Sequence, residues 1–132
     1  MERTFQNDLG RLVLRVYFGL SMCIAHGVGK LETYFAGAEI QFLDPLGLGV
    51  KNSLLLAGLS EFIFPLLIAV GLFTRVSTLP IIATMAIAFS MVHLNDPYPK
   101  QELSLVYLFA FLAILLLGPG RLSIDTLFRG KR

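Results

Sequence analysis

Apolar residues run along this chain in four long blocks, roughly 9–29, 53–74, 76–95 and 102–118, separated by short polar breaks. A helix needs about 20 apolar residues, within a range of roughly 17–25, to cross about 30 Å of hydrocarbon. Three of the blocks meet that length, and the last does so with its flanking residues. A helix of a soluble bundle keeps a polar face. The second block, SLLLAGLSEFIFPLLIAVGLFT, has none. The pattern predicts an all-α protein: an integral-membrane four-helix bundle, up-and-down, forming one transmembrane domain over residues 1–132.

The breaks carry turn residues. GLFTRVS (71–77) makes a tight turn, LNDPYPKQE (94–102) is rich in Asn, Asp and Pro, and GPGR (118–121) stops the last helix. The one long connection, 30–52, contains GAEIQFLDPLGLG. It reads as a short amphipathic segment at the membrane surface, either a brief helix or a plain loop. Block one resembles a signal sequence in outline, but its length and Arg15 mark it as a mature helix.

Composition sharpens this picture. The chain is 55% hydrophobic and only 15% charged, against about 25% charged in a soluble domain. A single cysteine, Cys23, excludes an internal disulfide and a CxxC redox pair. A net charge of +2 gives no reason to expect nucleic acid. Membrane lipid is the expected surrounding. Basic residues set orientation. Arg3, Arg11, Arg75, Arg121, Arg129, Lys131 and Arg132 fall on one side, and Lys30, Lys51 and Lys100 on the other. That bias places both termini in the cytoplasm and the 30–52 and 94–102 connections outside, which in a bacterium means the inner membrane facing the periplasm. The tail FRGKR then lies against anionic lipid.

The candidate chemistry is the set of polar residues within these helices. GVGK (27–30) is not a phosphate loop, because Ile24 and Leu31 break that pattern and no strand precedes it. Ser21, Ala25 and Gly29 form a row of small residues suited to close helix approach. Lys30 can snorkel to water. Arg15 sits about 9 Å inside the first helix and shares a face with Met22, His26 and Lys30. An ion at that depth requires a partner. Glu61 is the one acid in a helix interior, so an Arg15–Glu61 ion pair is expected. Pro65, four residues on, frees the Glu61 carbonyl from the helix ladder. In an up-and-down bundle His26, Glu61, His93 and Glu102 converge on the outer half. They form a candidate ligand or proton site, with a purely structural role for the same residues as the competing reading. Two histidines and one acid at unrelated spacing make no metal site.

The ordered segments LVLRVYFGLSMCIAHGVGKL, SEFIFPLLIAVGLFTRVSTLP, HLNDPYP and YLFAFLAILLLGPGRLSID resemble the DoxX family of small bacterial membrane proteins. Arg15, His26, Gly27, Lys30, Glu61, Thr74, Arg75, Gly118, Pro119, Gly120, Arg121, Ser123 and Asp125 fall on that family's pattern. The resemblance implies a four-helix membrane bundle and an association with quinone-linked redox systems. It therefore implies an accessory subunit with a quinone as ligand, an oxidoreductase subunit that needs a redox partner and is not active alone. Two alternatives stand beside it: a non-enzymatic scaffold or assembly partner, and a small-molecule or lipid-binding transporter. Oligomeric state is open.

Overall fold

The computed structural model describes residues 2–130, with side chains from Thr4 onward. Four rods dominate it. Helix α1 is Glu2–Met22, continuing without a break through a π-helical turn, Cys23–Gly27, into Val28–Phe35. Helix α2 is Val50–Val70. Helix α3 is Thr74–Ile87, ending in a second π-helical turn, Ala88–Val92. Helix α4 is Tyr98–Leu117, and a short α5, Ile124–Arg129, follows. No strand occurs among the described residues. The four rods are each long and apolar enough to cross a membrane. This is a multi-pass membrane protein of four-helix-bundle architecture.

Packing follows chain order. Helix α1 packs on α2 and α4, α2 on α3, and α3 on α4, which closes an up-and-down square. Its core is Met22, Ile68, Ile81, Met85, Tyr107, Phe111 and Ile114. The outward faces carry Val13, Ile24, Leu56, Leu79, Phe109 and Leu116, all exposed. Apolar surface on that scale suits hydrocarbon rather than water.

Helix one extends past its expected apolar limits at both ends, because the polar residues of its first turns and of Lys30 to Tyr34 continue the helix beyond the hydrocarbon-length block. Helix four begins earlier than the apolar pattern, at Tyr98, where Pro97 and Pro99 suit a first turn whose N–H groups have no acceptor within the helix. Of the two readings of the 30–52 connection, the part from 36 to 49 takes the loop form. Asp44 organises it. Its carboxylate accepts Leu48 N–H and Gly49 N–H, both at 2.9 Å, and Ser53 Oγ–H at 2.7 Å, so it caps the start of α2.

The small-residue row lies elsewhere than Ser21, Ala25 and Gly29. Gly29 faces open space, whereas a Cβ on Gly19 would lie 2.6 Å from the Pro65 carbonyl oxygen and one on Gly27 2.7 Å from the Glu61 carbonyl carbon. The π turn inserts an extra residue and rotates the face that meets α2.

The end of the bundle that holds the chain termini is closed by a clasp. Gly71, with φ 76°, ends α2 in the left-handed conformation, and Gly71 N–H and Leu72 N–H bond the Ile68 and Leu67 carbonyls. The next residue but one, Phe73, also has positive φ, 48°. Asp125 comes from beyond the GPGR break to hold this turn: its oxygens accept Phe73 N–H at 2.8 Å and Thr74 N–H at 2.9 Å, and its own N–H donates to Gly71 O at 2.8 Å. Asp8 accepts Arg121 N–H at 3.0 Å. Lys131 and Arg132, the end of the basic tail, lie outside the described residues.

Candidate functional site

At the opposite end the helices part around a cavity of about 360 Å³. Every rod contributes to it: His26 and Lys30 from α1, Glu61 from α2, Met85 and Ala88 from α3 with His93 just beyond, and Lys100, Ser104 and Tyr107 from α4. Both π turns border it, one carrying His26 and the other carrying Ala88 and ending at His93. Such turns cost regular helix hydrogen bonding and occur often at functional sites.

Glu61 is 2% exposed and Lys30 meets it, Nζ to Oε2, at 2.5 Å. The pair joins α1 to α2 just where Gly27 brings the two backbones together. Pro65 leaves the Glu61 carbonyl without a helix donor, so a carboxylate and a free carbonyl sit at one level. His26 packs edge-on to the Tyr107 ring, with centroids 5.3 Å apart. Tyr107 shares a hydrogen bond with Ser21, oxygen to oxygen 2.7 Å, and stacks on Phe111. At the rim, His93 Nδ1 lies 2.7 Å from Asp96 Oδ2. Gln101 Nε2 donates to the Leu94 and Asp96 carbonyls, both at 2.9 Å, which stiffens the turn that carries His93.

His26, Glu61 and His93 therefore line one cavity, and Glu102 does not. Because α4 begins at Tyr98, Glu102 falls a turn into that helix and on its exposed face. The expected Arg15–Glu61 pair is also corrected. Arg15 is 1% exposed and donates to the main-chain carbonyls of Ile68, at 3.4 Å, and Leu122. Ile68 is seven residues beyond Glu61, roughly 10 Å along α2, so Arg15 belongs to the clasp and Lys30 takes its place beside Glu61. Lys30, Tyr107, Lys100 and Asp96 were not among the sequence candidates. Lys30 was visible as a charge on the His26 face, but a lysine near a helix end reads equally well as solvated. No cluster of three or more metal-ligating side chains occurs among the described residues.

The family model for DoxX matches residues 10–94 of this chain. The chain belongs to the DoxX family. An uncharacterised protein of Haemophilus influenzae is 34% identical over a 74-residue alignment that covers 53% of this chain and 49% of that protein. The chain thus spans about half the length of that curated relative. No solved structure matches it. The matched region takes in His26, Lys30, Glu61 and His93, while Tyr107 and the Asp125 clasp lie beyond it.

Proposed function

We propose that this DoxX-family protein is one transmembrane domain that binds a small amphipathic ligand of the quinone class in the cavity, as an accessory subunit of a bacterial inner-membrane redox system. Both termini face the cytoplasm on this reading, and the cavity faces the periplasm. The observation that carries it is the convergence of His26, the Lys30–Glu61 pair, His93 and Tyr107 on one cavity between apolar helices. A volume of about 360 Å³ is at the low end of ligand pockets, enough for a ring-sized head group whose tail lies between helices in lipid. Electrons come from a partner subunit.

The scaffold reading draws on one observation of its own. Lys30 and Glu61 satisfy each other, and such a pair can serve helix register alone. Quinone extracted from protein purified in mild detergent, and duroquinone binding by the same protein in lipid nanodiscs, separate the two. Bound quinone that falls in His26→Ala and His93→Ala, with folding retained, supports the site. Wild-type protein that takes up neither quinone nor its hydroquinone in either setting leaves the scaffold.

A further inference from the structure

The rim of the cavity has a hydrogen-bonding polarity. His93 Nδ1 is 2.7 Å from an Asp96 carboxylate oxygen. An ionised carboxylate only accepts hydrogen bonds, so the ring proton sits on Nδ1. In the neutral imidazole the other nitrogen, Nε2, then has a lone pair and no proton. The turn that presents this ring is held by Gln101 on two of its carbonyls. His93 lines the cavity, and in the neutral ring the nitrogen it has left for a ligand is an acceptor.

Deeper in, the supply of acceptors continues. Glu61 offers its remaining carboxylate lone pairs, while the carbonyl released by Pro65 is covered by Gly27 of α1. Lys30 spends one of its three N–H donors on Glu61, and the others are left for a second group on the ligand. The Tyr107 hydroxyl is shared with Ser21. Lys100 is a donor, but it stands exposed at the rim.

We propose that the ligand presents a hydroxyl to His93, so that the cavity selects a phenol or hydroquinone over the corresponding quinone or ether, with Asp96 as the positioning residue that fixes the imidazole tautomer. This rests on the ligand-site reading above and gives it a direction. A quinone carbonyl facing Nε2 would set two acceptors against each other and forgo the hydrogen bond that a hydroxyl makes there.

The test compares durohydroquinone, kept under argon, with duroquinone and with the dimethyl ether of durohydroquinone, on the full chain in nanodiscs. The hydroquinone is expected to bind roughly tenfold more tightly than either of the others, the worth of one hydrogen bond against two opposed acceptors. Asp96→Leu should remove that preference, and Asp96→Asn should weaken it. Nitrogen NMR of histidine-labelled wild-type protein, at a pH where the ring is neutral, should show His93 protonated on Nδ1, a readout that needs no variant to fold. Equal binding of hydroquinone and ether, or a wild-type His93 protonated on Nε2, overturns the proposal while leaving the site. No binding of any of the three ends the ligand-site reading itself.

Discussion

Lys30 and Glu61 meet at 2.5 Å across the α1–α2 contact, with the Glu61 side chain 3% and the Lys30 side chain 24% exposed. Removing Lys30 leaves a carboxylate inside the bundle with no cation beside it. Truncating one partner of a buried pair costs about 3–5 kcal/mol, so Lys30→Met should lower the thermal midpoint in detergent markedly. Glu61→Gln added to it should recover most of the loss, because the remaining amide is neutral and can bond locally. Adding Arg15→Leu should recover nothing. A Lys30→Met protein as stable as wild type would mean that Lys30 prefers water to Glu61.

Glycine positions on α1 give a sharper contrast. A methyl group at Gly27 would meet the Glu61 backbone at 2.7 Å, and backbone does not yield cheaply. Gly29 has nothing within 4 Å. Gly27→Ala is expected to destabilise by about 1–3 kcal/mol, the usual range for overpacking, and to disturb the cavity through Glu61. Gly29→Ala should be neutral or stabilising by roughly 0.5–1 kcal/mol, since alanine restricts the unfolded chain. The reverse order in thermal melts would show that α1 meets α2 through another face.

The architecture was legible because four hydrophobic blocks of membrane length leave little choice of fold, and chain order then sets which ends lie together. Depth along a helix follows from residue number, which is why His26, Glu61 and His93 were expected at one level. Rotation about the helix axis does not follow so simply. The π turn at Cys23–Gly27 adds a residue that no apolar pattern reveals, and it moves the close-packed face from Gly29 to Gly27. Arg15 misled for a different reason. Its partners are main-chain carbonyls of Ile68 and Leu122, and any residue supplies a carbonyl, so the sequence carries no sign of them. Glu61 is the one acid at depth, and the sequence shows no other counter-charge for Arg15 there.

Arg15 ties α1 to both the end of α2 and the segment after GPGR. Its guanidinium spreads two donors to two carbonyls, a fork that a lysine ammonium cannot reproduce. Arg15→Lys should therefore behave as a real loss, with faster proteolysis of residues beyond Gly118 and a lower thermal midpoint. Arg15→Leu should be worse, leaving the Leu122 carbonyl without this donor at about 1–3 kcal/mol where it stays dry, while the Ile68 carbonyl keeps Gly71 N–H. Cavity ligand binding should change little in whatever fraction folds, because the clasp and the cavity occupy opposite ends of the bundle. A large loss of ligand in folded Arg15→Lys protein would couple the two ends.

Asp125 makes the clasp sensitive to acid. Burial pushes its carboxyl up, but the hydrogen bonds from Thr74 and Phe73 and the charge of Arg129 outweigh that and hold it below the ordinary aspartate value. A group depressed in the folded state stabilises fully above its unfolded value, about 4 for aspartate, and that contribution disappears as pH falls through the folded value. Asp44 is also held low, chiefly by Ser53, so acid weakens wild-type protein at two places and its melting curve alone cannot isolate either. The difference from Asp125→Asn does. That variant should be less stable by about 1 kcal/mol near neutral pH, within the roughly 0.5–2 kcal/mol expected for losing a helix-start acceptor, and the gap should narrow steadily once the pH drops below about 4. Protonation then gives wild-type Asp125 the neutral character of the amide. A gap that stays constant into strong acid would show that Asp125 holds Phe73 and Thr74 by shape rather than by charge.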